Sequence, residues 1–356
     1  MKKLIVLNPE GAFVSYFVYT SERSTVPNVE TIPENIWSGR IRLNGPGVPD
    51  LDIARLLRRY SPHGVAVRAL YGGDRFREAE FSDASVIGRL RELTPGSPLN
   101  IPAVVRLLEL TGRTVPTPEI MLFFETAFFN RLPVSERTYA IDDDAAEILG
   151  SSELRRYGYH GIFHRAAVTN VRGVSPDTRR IISICLEPQP EVVGIYDGKP
   201  VTVSSGSTPV EGLPGNTTCG EIDPGIILFL HENMKWGPEK INDELTRKSG
   251  LSALAGEPVT VQEVLQVGGT FELARKFFEY RLLLSCGAAV GAMNGVDAIV
   301  FSGRYSGAGE KLSEWLLSRL RAASDKAEEI PVFFLRHSVD RIIAESAFRM
   351  LEKAIE

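Results

Sequence analysis

Ten residues, Arg155-Arg156-Tyr157-Gly158-Tyr159-His160-Gly161-Ile162-Phe163-His164, bring two imidazoles and two guanidiniums into one short tract. Glycines flanking His160 let backbone and ligand approach closely. His160 and His164 stand four residues apart, so on a helix they share a face. Such a cluster suits an anion whose charge changes during reaction, such as a phosphoryl group. The same spacing also fits a capped helix start with a buried histidine.

The elements that must position these residues can be read from periodicity. Lys3 to Leu7 predicts a strand, Asn8-Pro9-Glu10-Gly11 a turn, and Ala12 to Tyr19 a second strand, together a β-hairpin. The plan returns halfway along. Arg180 to Leu186 and Glu191 to Tyr196 predict strands around Glu187-Pro188-Gln189-Pro190, and Asp197-Gly198 predicts a tight turn into Pro200 to Ser204. Leu51 to Tyr60, Ala103 to Thr111 and Phe271 to Met293 carry helical periodicity. Val65 to Leu70, Ile120 to Phe124 and Ala298 to Phe301 are short apolar strands. Ser24 to Pro49 is rich in proline and glycine and predicts a surface excursion. Ser338 to Lys353 predicts a closing helix whose apolar face is Ile342, Ile343, Ala347, Met350 and Leu351. The repeated plan implies two related α/β domains across a cleft, with a hinge over Ile141 to Ser151. The expected division is 1–150 plus 336–356 against 151–335.

Composition excludes several classes of function. The chain has 356 residues, enough for two cores, with 43% hydrophobic and 24% charged residues. A net charge of −5 argues against broad electrostatic binding to nucleic acid or anionic membrane. No run is long enough for a membrane span, and Leu4 to Leu7 is too short for a signal-peptide core, so a cytoplasmic protein is expected. The cysteines Cys185, Cys219 and Cys286 are far apart and show no metal-ligand spacing, so no structural metal is expected.

Several segments resemble the acetate and propionate kinase family in order along the chain. Arg155 to His164 resembles its Arg-Tyr-Gly-Phe-His-Gly-Thr-Ser-His motif. Arg68-Ala69-Leu70-Tyr71-Gly72-Gly73 is similar to Arg-Val-Val-His-Gly-Gly, and Ser97-Pro98-Leu99 to Ala-Pro-Leu-His. Phe124-Glu125-Thr126-Ala127-Phe128 is similar to Phe-Asp-Thr-Ala-Phe. Thr208-Pro209-Val210-Glu211-Gly212-Leu213 is similar to Thr-Pro-Leu-Glu-Gly-Leu, and Gly220-Glu221-Ile222-Asp223-Pro224 to Gly-Asp-Ile-Asp-Pro. Gly295 to Phe301 resembles the strand leading into the adenosine loop.

The resemblance implies the duplicated, ribonuclease H-like α/β fold shared by acetate kinase, sugar kinases, hsp70 and actin. It implies ATP-dependent phosphorylation of a short-chain carboxylate, with magnesium, and a homodimer formed through the second domain. It assigns Arg68 to the carboxylate, His160 to the transferring phosphoryl group and Glu125 to the family's catalytic aspartate. His164 would support the tract. Leu70, Leu99, Tyr159 and Pro209 match its acyl pocket. Asn8 matches an asparagine near metal and phosphate, and Asp340, with Glu345 as rival, falls near a metal-associated glutamate. Gly303, Arg304, Tyr305 and Gly307 stand in the adenosine loop, where Arg304 could restore charge and Tyr305 could stack on a base.

The departures cluster on the nucleotide side. Thr218 stands where the family has a second arginine, Tyr71 and Asn100 where it has histidines, and Gly11, Phe13 and Ser15 where it has a serine-rich loop. The family's Leu-Gly-Asn-Gly loop reads Leu186-Glu187-Pro188-Gln189-Pro190-Glu191. Each proline removes an N–H donor, and the glutamates are expected to repel a triphosphate. A binding or regulatory role without catalysis, and a kinase with a changed phosphate donor, are therefore the alternative expectations.

Overall fold

The computed structural model describes residues 2–21, 33–43, 48–93, 99–114, 119–142, 154–266, 269–320 and 330–354. They form two compact units. One takes Met1–Asn130, Asp142–Glu153 and Ser338–Glu356, the other Arg131–Ile141 and Leu154–His337. The segment Arg131–Ile141 thus goes with the second unit. From residue 143 to 151 the expected hinge lies outside the described residues.

The first unit contains β1 (Lys2–Glu10), β2 (Phe13–Ser21), β3 (Glu34–Arg42), α1 (Val48–Tyr60), β4 (Gly64–Ala69), β5 (Glu80–Phe81), α2 (Ala84–Leu93), α3 (Ile101–Thr114) and β6 (Glu119–Phe124). Its sheet has the order β3-β2-β1-β4-β6-β5. The first three strands run antiparallel, and β1, β4 and β6 run parallel. Leu4, Ile5, Val6 and Leu7 are fully buried, as a central strand covered on both faces requires.

Two expectations need correction here. Asn8, Pro9 and Glu10 belong to β1, and the turn is Gly11-Ala12, with Gly11 at φ 57°. Pro9 is tolerated because the parallel ladder with β4 ends at Leu7, so its missing N–H breaks no bond there. The stretch expected as an excursion contributes β3, an edge strand bonded to β2; its residues 24–32 and 44–47 lie outside the described residues.

The second unit holds α4 (Val134–Arg137), α5 (Gly161–Val174), β7 (Arg180–Cys185), β8 (Glu191–Tyr196), β9 (Lys199–Val203), α6 (Pro224–Glu232), α7 (Pro238–Arg247), α8 (Gly250–Ala255), α9 (Val261–Gln266), α10 (Glu272–Met293), β10 (Ala298–Ser302), α11 (Gly309–Leu320) and β11 (Val332–Phe334). Its sheet order is β11-β10-β7-β8-β9. Again three antiparallel strands continue into two parallel ones, the same plan as β6-β4-β1-β2-β3. Asp197 and Gly198, at φ 51° and 75°, make the predicted two-residue turn, whose twist suits a hairpin. Ile182, Ile184, Phe278, Leu282, Phe301 and Leu316 share its core.

The chain ends in α12 (Val339–Lys353), which belongs to the first unit. Ile342, Ile343, Ala347 and Leu351 are buried as expected. Met350 is only half-buried, and Ala344 and Phe348 complete the face.

Candidate functional site

Open α/β sheets place ligands beyond the carboxyl ends of their parallel strands. In the first unit that edge gathers Asn8 and Glu10 from β1, Arg68 from β4 and Glu125 just after β6. The Arg68 guanidinium is buried. Its Nε and Nη2 both lie 2.6 Å from Glu125 Oε1. Its Nη1 donates to Asn8 Oδ1 at 3.4 Å and Glu10 Oε1 at 3.3 Å. Glu125 is fully buried, so the guanidinium supplies the countercharge that such a carboxylate needs. The Asn8 amide donates to Glu10 at 2.9 Å.

The backbone beneath Arg68 is tied as firmly. Asn100 accepts the Leu70 N–H at 2.9 Å and donates to the carbonyls of Pro9 at 3.2 Å and Arg68 at 3.4 Å. It thereby staples the ends of β1 and β4. The Thr126 hydroxyl accepts the Gly72 N–H at 2.9 Å. Leu70 is half-buried, whereas Leu99 is 39% exposed at φ 33°. Ser97 and Pro98 lie outside the described residues.

Of the residues expected at a metal, Asn8 and Asp340 are both held by protein partners. Asp340 is buried and accepts the Tyr19 hydroxyl at 2.6 Å, while Asn8 is engaged by Glu10 and Arg68. Burial, and then Asp340, push the Tyr19 hydroxyl well above its ordinary range. Among the described residues no three His, Cys, Asp or Glu side chains converge as a metal cluster. Glu345 pairs instead with Arg341 at 3.2 Å.

In the second unit the tract opens α5. His160 is the residue before its first turn, and Glu191, fully buried, sits against that helix start. The carboxylate accepts the backbone N–H of Tyr159 at 2.9 Å and of His160 at 3.2 Å, and meets His164 Nε2 at 3.1 Å. His164 Nδ1 lies 2.7 Å from Ser183 Oγ on β7. Burial alone would raise the Glu191 pKa. The bond from His164, the charges of His160 and His164, and the Ser205 hydroxyl outweigh it and hold the group below its ordinary value. His164 is fully buried between Glu191 and Ser183. His160 itself places Nε2 2.8 Å from the Gln189 carbonyl.

The loop between β7 and β8 presents acceptors. Tyr305 N–H donates to the Leu186 carbonyl at 3.0 Å, Asn216 N–H to Pro188 at 2.7 Å, and the His160 ring meets Gln189. Both of its glutamates have partners in the second unit. Glu187 accepts both the Arg304 N–H and its Nε at 2.7 Å, and Glu191 is bonded inside the tract to His164 and two backbone N–H groups. The Arg304 guanidinium at this separation screens part of the Glu187 charge.

Gly303 has φ 88°, and a Cβ there would lie 2.6 Å from the Leu186 carbonyl oxygen, so only glycine lets the loops meet. Tyr305 packs against the core, and its hydroxyl accepts from Asn216 at 3.3 Å. Gly307 faces open space. Thr218 is buried, with no partner for its hydroxyl among the described residues. It packs against Gly215, where a Cβ would lie 2.3 Å from Thr218 Oγ1 and 2.4 Å from the Pro188 carbonyl. Tyr159 is buried with its hydroxyl on the Ser207 carbonyl, and Pro209 is half-buried.

Sequence reasoning missed Glu10, Glu191 and the Gln189 carbonyl as site members. Glu10 was hidden because Asn8 to Gly11 reads as a turn, and only its place on β1 puts it on the same face as Asn8. Glu191 and Gln189 stood out only as part of the altered loop, and their bonds to His164 and His160 gave no local signal.

The fold is that of solved carboxylate kinases. The chain superimposes on Porphyromonas gingivalis acetate kinase with TM-score 0.80 and 24% identity, covering 99% of this chain and all of that one. A propionate kinase from Francisella tularensis gives 0.79 and 20%, over 97% and 98% of the two chains. In sequence, residues 58–324 match the model of the acetokinase family. Acetate kinase of Thermotoga maritima is 32% identical over 254 residues, 69% of this chain and 62% of that protein. The Helicobacter hepaticus acetate kinase is 31% identical over 289 residues, 79% and 69% of the two chains. This chain belongs to the acetokinase family.

Proposed function

We propose that this protein is an ATP-dependent carboxylate kinase that forms an acyl phosphate from a short-chain carboxylic acid. The observation that carries the proposal is Arg68. It is a buried guanidinium fixed by Glu125 on one side and facing, on the other, a half-exposed Glu10 that an incoming carboxylate can displace. Arginine recognises carboxylates through its planar fork of N–H donors. In the reaction a substrate carboxylate oxygen attacks the γ-phosphorus. The bond from that phosphorus to the β,γ-bridging oxygen breaks, and ADP leaves with the electron pair. A carboxylate is already ionised near neutral pH, so no strong base is needed.

Within this proposal Arg68 binds the carboxylate, Glu125 and Asn100 hold Arg68, and His160 meets the phosphoryl group. Leu70, Leu99, Tyr159 and Pro209 bound the acyl chain. Gly303, Tyr305 and Gly307 receive the nucleotide, with Arg304 masking Glu187. Magnesium arrives with ATP as part of the co-substrate, consistent with its preference for water and phosphate oxygens over an all-protein cage.

A homodimer belongs to the same proposal, supported by apolar surface on the second unit. α6 buries no side chain and exposes Ile226, Leu228 and Phe229, and α10 exposes Leu273, Phe277, Tyr280 and Leu284 along one face. Exposed apolar area of that kind marks interaction surfaces. A cytoplasmic setting belongs to the same proposal and is supported by the family kinship.

The test is to incubate the protein with ATP, magnesium and acetate, propionate or butyrate, with hydroxylamine to trap the acyl phosphate. Hydroxamate that requires both ATP and the acid is expected. No hydroxamate from any of the three acids would overturn the proposal.

A further inference from the structure

We propose that the Pro188-Gln189-Pro190 loop is a clamp that fixes the tautomer of His160 and makes Nδ1 the ring atom that meets the reacting group. Its catalytic meaning rests on the carboxylate kinase reading, but the clamp itself is a property of the resting chain.

The contact of 2.8 Å joins His160 Nε2 to a main-chain carbonyl. A carbonyl oxygen only accepts, so the proton sits on Nε2 whether the ring is neutral or charged. Nδ1 is buried and has no protein partner among the described residues. A buried polar atom left without a partner is costly, and a ligand group removes that cost.

The loop is built to hold its carbonyl in place. Proline fixes its own φ and pushes the preceding residue into an extended conformation, so Pro190 restrains Gln189. The Pro188 carbonyl is anchored by Asn216 N–H at 2.7 Å. On the other side of the contact, the His160 backbone N–H is anchored on Glu191. Both partners are therefore pinned before any ligand arrives. The prolines that remove N–H donors thus also present an oxygen to the histidine. In the imidazolium form, Nδ1–H then donates to a phosphoryl oxygen while Nε2–H stays on Gln189. Gln189 is a positioning residue, acting through its main chain.

The experiment is nitrogen NMR of protein carrying ¹⁵N-labelled histidine, with His160 assigned by the signals lost in His160→Asn. Expected in the resting protein is protonated Nε2 and bare Nδ1. Inorganic phosphate, used as the probe, should then shift the Nδ1 signal more than the Nε2 signal. In the double variant Pro188→Gly/Pro190→Gly, the two tautomers should mix. Its kcat should fall about tenfold with KM for the carboxylate unchanged, less than the roughly 10⁴-fold loss known for a fully wrong tautomer. A resting Nδ1–H tautomer would overturn the clamp, and so would a double variant that keeps a single Nε2–H form. The wild-type spectrum alone decides the first point if the variant does not fold. Because the spectra need no turnover, a chain with the expected tautomer and no kinase activity would sink the kinase reading and leave the clamp standing.

Discussion

At the ends of β1, β4 and β6 a guanidinium donates to three side chains, and its surroundings are arranged to hold that donor still. Between β7 and β8 the reverse holds, because main-chain carbonyls of Leu186, Pro188 and Gln189 accept from Tyr305, Asn216 and His160. The first region keeps the polarity that an anion needs. The second has exchanged donors for acceptors and satisfied them internally. An altered loop can still satisfy its backbone, as the carbonyls of Leu186, Pro188 and Gln189 do here.

Arg68→Ala should break the first region most completely. It removes the donor for the substrate and leaves Glu125 buried without its guanidinium, a change that costs about 3–5 kcal/mol. Hydroxamate formation should fall at least about a thousandfold, and the urea midpoint should drop. Full stability in this variant would show that the pair does not hold the region together.

Glu191→Ala should come next, at about 2–4 kcal/mol, since it strands two backbone N–H groups and His164. Its pH signature has a definite sign. The folded-state pKa is depressed, so the stabilisation is complete above the ordinary value of 4.5. It is lost as pH falls below that value through the folded one. The stability gap between wild type and Glu191→Gln, followed by urea titration, should narrow on acidification in that window.

Gly303→Ala should cost about 1–3 kcal/mol, because it forces a side chain into a positive-φ conformation against the Leu186 carbonyl. Arg304→Ala should be mildest for stability, about 1 kcal/mol, since the bridge is half-exposed and Glu187 keeps the Arg304 N–H. It sharpens the contrast through kinetics. Uncovering Glu187 should raise KM for MgATP several-fold, and Glu187→Gln should lower it.

Local physics made much of this legible in sequence. The Asp197-Gly198 turn, the β7 to β9 run and the closing helix follow from turn chemistry and apolar periodicity within a dozen residues. The family tract and Arg68 were visible as motifs. The pairing of the proline loop's glutamates was not, because Glu187 finds Arg304 117 residues away and Glu191 finds His164 27 residues away. A glutamate read along the chain is a bare charge, and only tertiary pairing reveals its countercharge. The prolines illustrate the same limit. The loss of two N–H donors could be read directly, but the destination of the Gln189 carbonyl depended on where α5 begins.

The contrast between the two regions is tested most directly by steady-state kinetics of the wild-type protein with MgATP and a short carboxylate each varied in turn. Expected is turnover that saturates with the carboxylate but needs about millimolar MgATP, an affinity of only about −4 kcal/mol, because the β7–β8 loop offers few donors to phosphate. Saturation at micromolar MgATP would contradict it, since the loop would then have to supply donors that its prolines and inward-facing carbonyls lack.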